Sequence, residues 1–243
     1  MNSSNPDEVA RDAAMAFAHA LSPVWQATLG RELMGLYLIG SLAHGGFSRR
    51  YSDIDVAVIT ETGLATQTLE TLRGQAAALS ADWGPKVSVF WTDRQFAVGR
   101  FPPLDRLDYL DRPVVLAERE HVTPARPPLQ EIRDYLRGAP FANWAARAKE
   151  FADAAALDPK DRKAYLRALL YPARFCFSYT TGRMTSNDAA VAYLREHTTS
   201  SLELDCIEQA LRCRRAAADP DSLFDLRSRL PAQVDACAAL LTA

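Results

Sequence analysis

Two aspartates one residue apart, Asp53 and Asp55, open the apolar run DIDVAVIT, and a Gly40-Ser41 pair closes the apolar run LYLI before it. In an extended chain, side chains alternate between faces. Asp53 and Asp55 therefore share one face, about 7 Å apart, while Ile54 and Val56 take the other. Two carboxylates on one face suit a hard divalent cation. Mg²⁺ takes one or two carboxylates from a protein and completes its octahedron with water and substrate phosphates, so the chemistry on offer is chemistry on a nucleotide. The Gly40-Ser41 turn offers phosphates a close backbone approach, N–H groups and a hydroxyl. Gly45 and Gly46 let the chain double back so that the aspartates lie beside that turn. An isolated D-x-D is more often a solvated strand face, but aspartate is poorly suited to strands. Here two of them sit in an apolar run just after a Gly-Ser turn.

Periodicity supplies the scaffold for these residues. Residues 7–30 repeat apolar positions at helical spacing, with Pro6 and Asp7 suited to a first turn. GLYLIG, DIDVAVI and KVSVFW are short runs rich in β-branched and aromatic residues. With the helical segment 64–80 they spell strand, turn, strand, helix, strand. Pro102, Pro103 and Pro113 break up the next segment, and RPVVLAE adds a short strand before the Pro-rich HVTPARPPLQ. A domain boundary is expected near Pro127, giving domains 1–126 and 127–243. Beyond it, 128–137, 141–156, 160–181, 186–196, 202–217 and 221–241 read as helices, broken at Gly138-Ala139-Pro140, Asp158-Pro159, Gly182 and Asp219-Pro220. The expected fold class is α+β: a small mixed sheet with helices, then an all-helical bundle.

Composition narrows the partners. The chain has 243 residues, 48% of them hydrophobic, enough for a substantial core. Its 28 basic and 30 acidic residues nearly cancel, so nothing in the bulk charge calls for a nucleic acid or an anionic membrane. Cys176, Cys206, Cys213 and Cys237 form no CxxC pair and read as small buried apolar residues of a reducing compartment. The N-terminus carries acids where a secretory signal would be basic, and no apolar run approaches a membrane span. A cytoplasmic, soluble and monomeric protein is expected.

The stretch LYLIGSLAHGGFSRRYSDIDVAVIT, residues 36–60, resembles the signature of the polymerase-β-like nucleotidyltransferase superfamily. It has an apolar strand ending in Gly-Ser and then Asp-x-Asp in the next strand, with eleven residues between Ser41 and Asp53. Residues 173–194, ARFCFSYTTGRMTSNDAAVAYL, resemble bacterial aminoglycoside adenylyltransferases of the streptomycin and spectinomycin type. IEQALRCRRAAADPDSL and LFDLRSRLPAQVDACAALL are similar to that family's final helices, so the resemblance covers nearly the whole chain. It implies transfer of AMP from ATP, with two Mg²⁺ ions, to a hydroxyl of a small molecule, an aminoglycoside antibiotic being the family's acceptor. By the same resemblance Asp53 and Asp55 hold both ions, Ser41 and the Gly40 backbone hold the terminal phosphates, and Ser52 lies near the triphosphate. Arg212 is the candidate for a basic residue reaching the phosphates from the helical domain. Its other reading is a solvated helix residue in a cluster with Arg214 and Arg215.

Asp188 matches an acidic residue near the drug in relatives, yet Thr185-Ser186-Asn187-Asp188 also has the form of a capping box. Trp144, Tyr179 and Tyr193 either line a cleft or belong to the core. His44 either touches a phosphate or is an ordinary loop residue, and His19, His121 and His197 give no constellation. The superfamily's third carboxylate, a glutamate general base in the adenylyltransferases, is replaced at the matching position by Lys86. A lysine with a pKa near 10.4 is a cation at neutral pH and opposes metal binding. Three accounts are open: Asp82 or Asp93 supplies the carboxylate, metal coordination of the hydroxyl makes a base unnecessary, or the protein binds nucleotide without transferring it. Adenylylation of a protein partner is a further alternative.

Overall fold

The structure is a computed structural model that describes residues 6–197 and 202–242, so the first five residues of the acidic N-terminus lie outside it. The chain divides between Pro127 and Pro128 into two compact units. No helix among the described residues is long and apolar enough to cross a membrane.

The first unit opens with α1 (Pro6–Leu29), β1 (Leu33–Ile39), the single-turn α2 (Gly40–His44) and β2 (Ile54–Thr60). Next come α3 (Thr66–Leu79), β3 (Val87–Asp93), β4 (Gly99–Arg100), α4 (Pro103–Asp111) and β5 (Val114–Glu118). The five strands form one sheet in the order β4-β3-β2-β1-β5. β1 runs antiparallel to β2 and to β5, whereas β2 and β3 are parallel. A parallel pair cannot be joined by a tight hairpin, and α3 is the crossover that the geometry requires.

Every residue of β1 is buried, and β2 is buried except at Asp55. Such unbroken apolar runs belong to strands covered on both faces. Leu36, Leu38, Ile54, Val56 and Val58 pack with α1 and α3 on one side, where the Trp25 indole donates to the Leu72 carbonyl at 3.1 Å. Met34, Tyr37, Ile39, Ala57 and Ile59 pack with Tyr109 on the other. That second layer is where the structure departs from expectation. The segment around Pro102 and Pro103 is not merely broken: Pro103 starts α4, at a position where the fixed φ of proline and its missing N–H favour a helix.

α4 is seated by Tyr109, which is 1% exposed. Its ring meets Tyr37 edge-on at 4.9 Å, and its hydroxyl donates to the Val122 carbonyl at 2.7 Å. Burial raises the pKa of both phenols above the ordinary tyrosine value, so each stays a neutral donor.

The second unit contains α5 (Leu129–Arg137), α6 (Ala139–Asp153), α7 (Arg162–Thr181), α8 (Asn187–His197), α9 (Leu204–Arg215) and α10 (Leu230–Thr242). α7 is buried nearly all round, as a central bundle helix must be. Trp144 stacks on Tyr171 at 4.6 Å and donates to the Ala168 carbonyl. Trp144 and Tyr179 are thus core residues, each 6% exposed. Two boundaries differ from the sequence reading. Ala139 and Pro140 begin α6 instead of interrupting the chain, again because proline suits a first turn. The span 221–241 is not one helix: Pro220–Arg229 winds as 3₁₀ turns, capped by the Asp219 carboxylate, before α10 begins. All four cysteines are buried free thiols.

Tyr109→Ala is expected to cost about 3–5 kcal/mol by removing the seat of α4. Tyr109→Phe keeps the ring and loses one hydrogen bond, about 1 kcal/mol. Urea unfolding of the two variants measures both.

Candidate functional site

The site is built at the end of β1. The backbone turns sharply after Ile39 because Gly40 takes φ +71°, in the left-handed region that glycine enters without penalty. Ile39 is the register partner of Asp55 across the β1–β2 ladder. A side chain at Gly40 would start 2.2 Å from the Asp55 carboxylate oxygen Oδ2. Only glycine therefore lets the turn and the carboxylate occupy adjacent space. The loop between α2 and β2 is closed by Ser52, which is 4% exposed. Its Oγ accepts from the Ser48 N–H at 2.9 Å and from the Ser41 hydroxyl at 3.0 Å.

Asp53 lies just before β2 and Asp55 is its second residue. Both are half-buried, while Ile54 and Val56 between and beyond them are 0% exposed. The alternation thus leaves both carboxylates accessible at one strand end. β3 runs alongside with Val87 opposite Ile54, so Lys86 and Asp53 hold equivalent positions before the two strands. The Lys86 ammonium donates to the Arg49 carbonyl and sits 5.3 Å over the Trp83 ring.

Asp93 pairs with Thr60 at the opposite end of the sheet, roughly 17 Å along the strand from Asp55. It is committed to a turn there. Burial acts to raise its carboxyl, but the N–H groups of Val98 and Ala97 outweigh burial and hold it below the ordinary aspartate value. Asp82 is exposed on the turn between α3 and β3.

Among the described residues no group of three or more His, Cys, Asp or Glu could hold a metal. The half-buried Asp53 and Asp55 fit one Mg²⁺ whose remaining ligands are water and substrate oxygens. Lys86, in the turn just before β3, sets a cation beside Asp53, so the third carboxylate expected there for a second ion is absent from that position.

One functional candidate was missed in the sequence. Asp108 on α4 is 5% exposed. Its Oδ2 accepts from the Gly40 N–H at 2.7 Å, and its Oδ1 lies 3.4 Å from His44 Nε2. The Gly40 N–H, expected to face phosphate, is thus engaged by a carboxylate. His44 is no ordinary loop residue, because its side chain is 5% exposed. Its Nδ1 is buried with no partner among the described residues. The signal for this helix was present: a first-turn proline followed by Leu104 and Leu107 three apart.

Two expected residues belong to the second unit. Arg212, on α9, is exposed and 3.8 Å from Glu208. Asp188, near the start of α8, accepts from the Arg215 guanidinium at 2.6 Å. The capping box does not form as expected. Ser186 caps α8 instead of Thr185, its Oγ accepting from the Ala189 N–H at 3.2 Å. Thr185 is buried, and Tyr193 stacks on His197 at 4.2 Å.

No protein-family model and no curated protein matches the sequence. Among solved structures, the chain is similar to the crystal structure of spectinomycin adenyltransferase AAD(9) from Enterococcus faecialis with ATP and spectinomycin. The TM-score is 0.67 at 13% identity, over 94% of this chain and 99% of that one. The protein therefore has an aminoglycoside adenylyltransferase-like fold.

Proposed function

We propose that the protein is an ATP- and Mg²⁺-dependent adenylyltransferase that moves AMP onto a hydroxyl of a small molecule, with an aminoglycoside or spectinomycin-like antibiotic as acceptor class. The observation that carries this reading is the interlock of Gly40 with Asp55, which sets a Gly-Ser turn against a half-buried carboxylate of the kind that suits Mg²⁺. The likeness to a structure containing ATP and spectinomycin supports it. In the reaction the acceptor oxygen forms a bond to the α-phosphorus of ATP, the bond from that phosphorus to the bridging oxygen breaks, and pyrophosphate leaves. The hydroxyl proton passes to solvent water.

Such phosphoryl chemistry is mostly positioning and charge neutralisation. Asp53 and Asp55 would hold Mg²⁺, which when bound supplies neutralisation of phosphate charge and lowers the pKa of the attacking hydroxyl. Ser41 and the Gly40 turn approach the terminal phosphates, with Ser52 fixing the Ser41 hydroxyl. In this scheme residues 1–126 carry the nucleotide and 127–243 the acceptor. The resemblance assigns Arg212 to phosphate binding and Asp188 to acceptor binding. A cytoplasmic monomer is the corresponding setting. A second reading, nucleotide binding without transfer, is favoured by Lys86 at the position expected for a general base.

Pyrophosphate release from MgATP, measured against a panel of aminoglycosides and spectinomycin, separates the two readings. Release with one acceptor is expected. Asp55→Asn is expected to reduce it by at least about 10²-fold, whereas Asp93→Asn, altered at the far end of the sheet, leaves it unchanged. Silence across the panel with ATP still bound would favour the second reading.

Lys86→Glu puts a carboxylate beside Asp53. Because a general base contributes about 10² to 10⁴ in rate, turnover of this variant is expected to rise by about tenfold or more. An unchanged rate would show that no base is wanting at that position.

A further inference from the structure

We infer that Asp108 is a positioning residue for the nucleotide turn, clamping both ends of α2 so that Gly40 stays against Asp55. The inference rests on the nucleotidyl-transfer reading and concerns a carboxylate supplied by α4 instead of by the sheet.

A carboxylate that is 5% exposed is costly unless its oxygens are engaged. Both oxygens of Asp108 go to the same short helix. Oδ2 takes the N–H of Gly40, its first residue, and Oδ1 faces the ring of His44, its last. One side chain thus spans α2 from end to end. Gly40 is caught from two sides, since its N–H is held by Asp108 while the space beside its Cα is filled by the Asp55 carboxylate.

The clamp is rigid at its base. Leu107 and Tyr109 on either side of Asp108 are 0% and 1% exposed, and the Tyr109 hydroxyl is bonded to the Val122 carbonyl. The backbone that carries Asp108 is therefore held in place by its buried neighbours. At the other end of the chain of contacts, the Ser41 hydroxyl is aimed at Ser52. Its direction depends on where Gly40 is pinned. A nucleotide held by this turn depends on Asp108, although Asp108 need not touch it.

MgATP affinity of the full-length protein, measured by calorimetry, tests the clamp without requiring an identified acceptor. Asp108→Ala and Asp108→Glu, which remove or lengthen it, are expected to weaken MgATP by at least about tenfold. Asp108→Asn keeps an oxygen for the Gly40 N–H and is expected to stay within about threefold of the parent. A purely structural role would lower the melting temperature of the variants yet leave their MgATP affinity equal to the parent's, and that result overturns the inference. Should Asp108→Ala not fold, equal affinities for the Asn and Glu variants overturn it. Absence of MgATP binding by the parent protein instead removes the nucleotidyl-transfer reading itself, and the inference with it.

Discussion

The contact between Gly40 and the Asp55 carboxylate is the constraint on which the rest of the site depends. With room for a hydrogen and nothing larger, the turn after β1 is locked to one position along β2. The lock holds only in one register, Ile39 opposite Asp55. A slip of one residue would turn Asp55 into the layer formed by Leu38, Val56 and α1, where an unpaired charge is prohibitively costly. The apolar faces of β1 and β2 thus do more than stabilise the sheet: they fix which residues can meet at its end.

Charge is arranged around that lock in layers. Asp53 and Asp55 are accessible at the strand end, whereas Asp108 is buried behind the turn and spent on α2. Lys86 stands beside Asp53 just before β3, where the sequence resemblance leads one to expect a further carboxylate. Its ammonium lies on Trp83 and donates to the Arg49 carbonyl, so it ties the loop before β2 to the edge of β3. A structural task of this kind gives a physical reason for a cation at a position otherwise suited to an acid.

Much of this was legible because it is local. The strand runs announced themselves by β-branched composition, the D-x-D by its incongruity in an apolar segment, and Gly40 by its place before Ser41. α4 was hidden by its prolines, which read as breaks although Pro103 is a favoured first-turn residue. Asp108 was hidden more deeply. It meets Gly40 across 68 residues of sequence, and no periodicity announces a contact between a helix and a distant turn. Capping failed at finer grain, since Thr185 and Ser186 both carry a hydroxyl and only the backbone of α8 decides which one is aimed at a free N–H. The same limit applied to Asp93, whose strand was foreseen but whose distance from Asp55 became apparent only from the register.

If the proposed function is right, the Gly40-Ser41 turn and the Asp53–Asp55 pair form one nucleotide site. A crystal structure of the protein with Mg²⁺ and a non-hydrolysable ATP analogue puts that to the sharpest test. The expected result is a metal held by Asp53 and Asp55, with the terminal phosphates against Ser41. An analogue bound away from this turn, or a metal that ignores both aspartates, would contradict it.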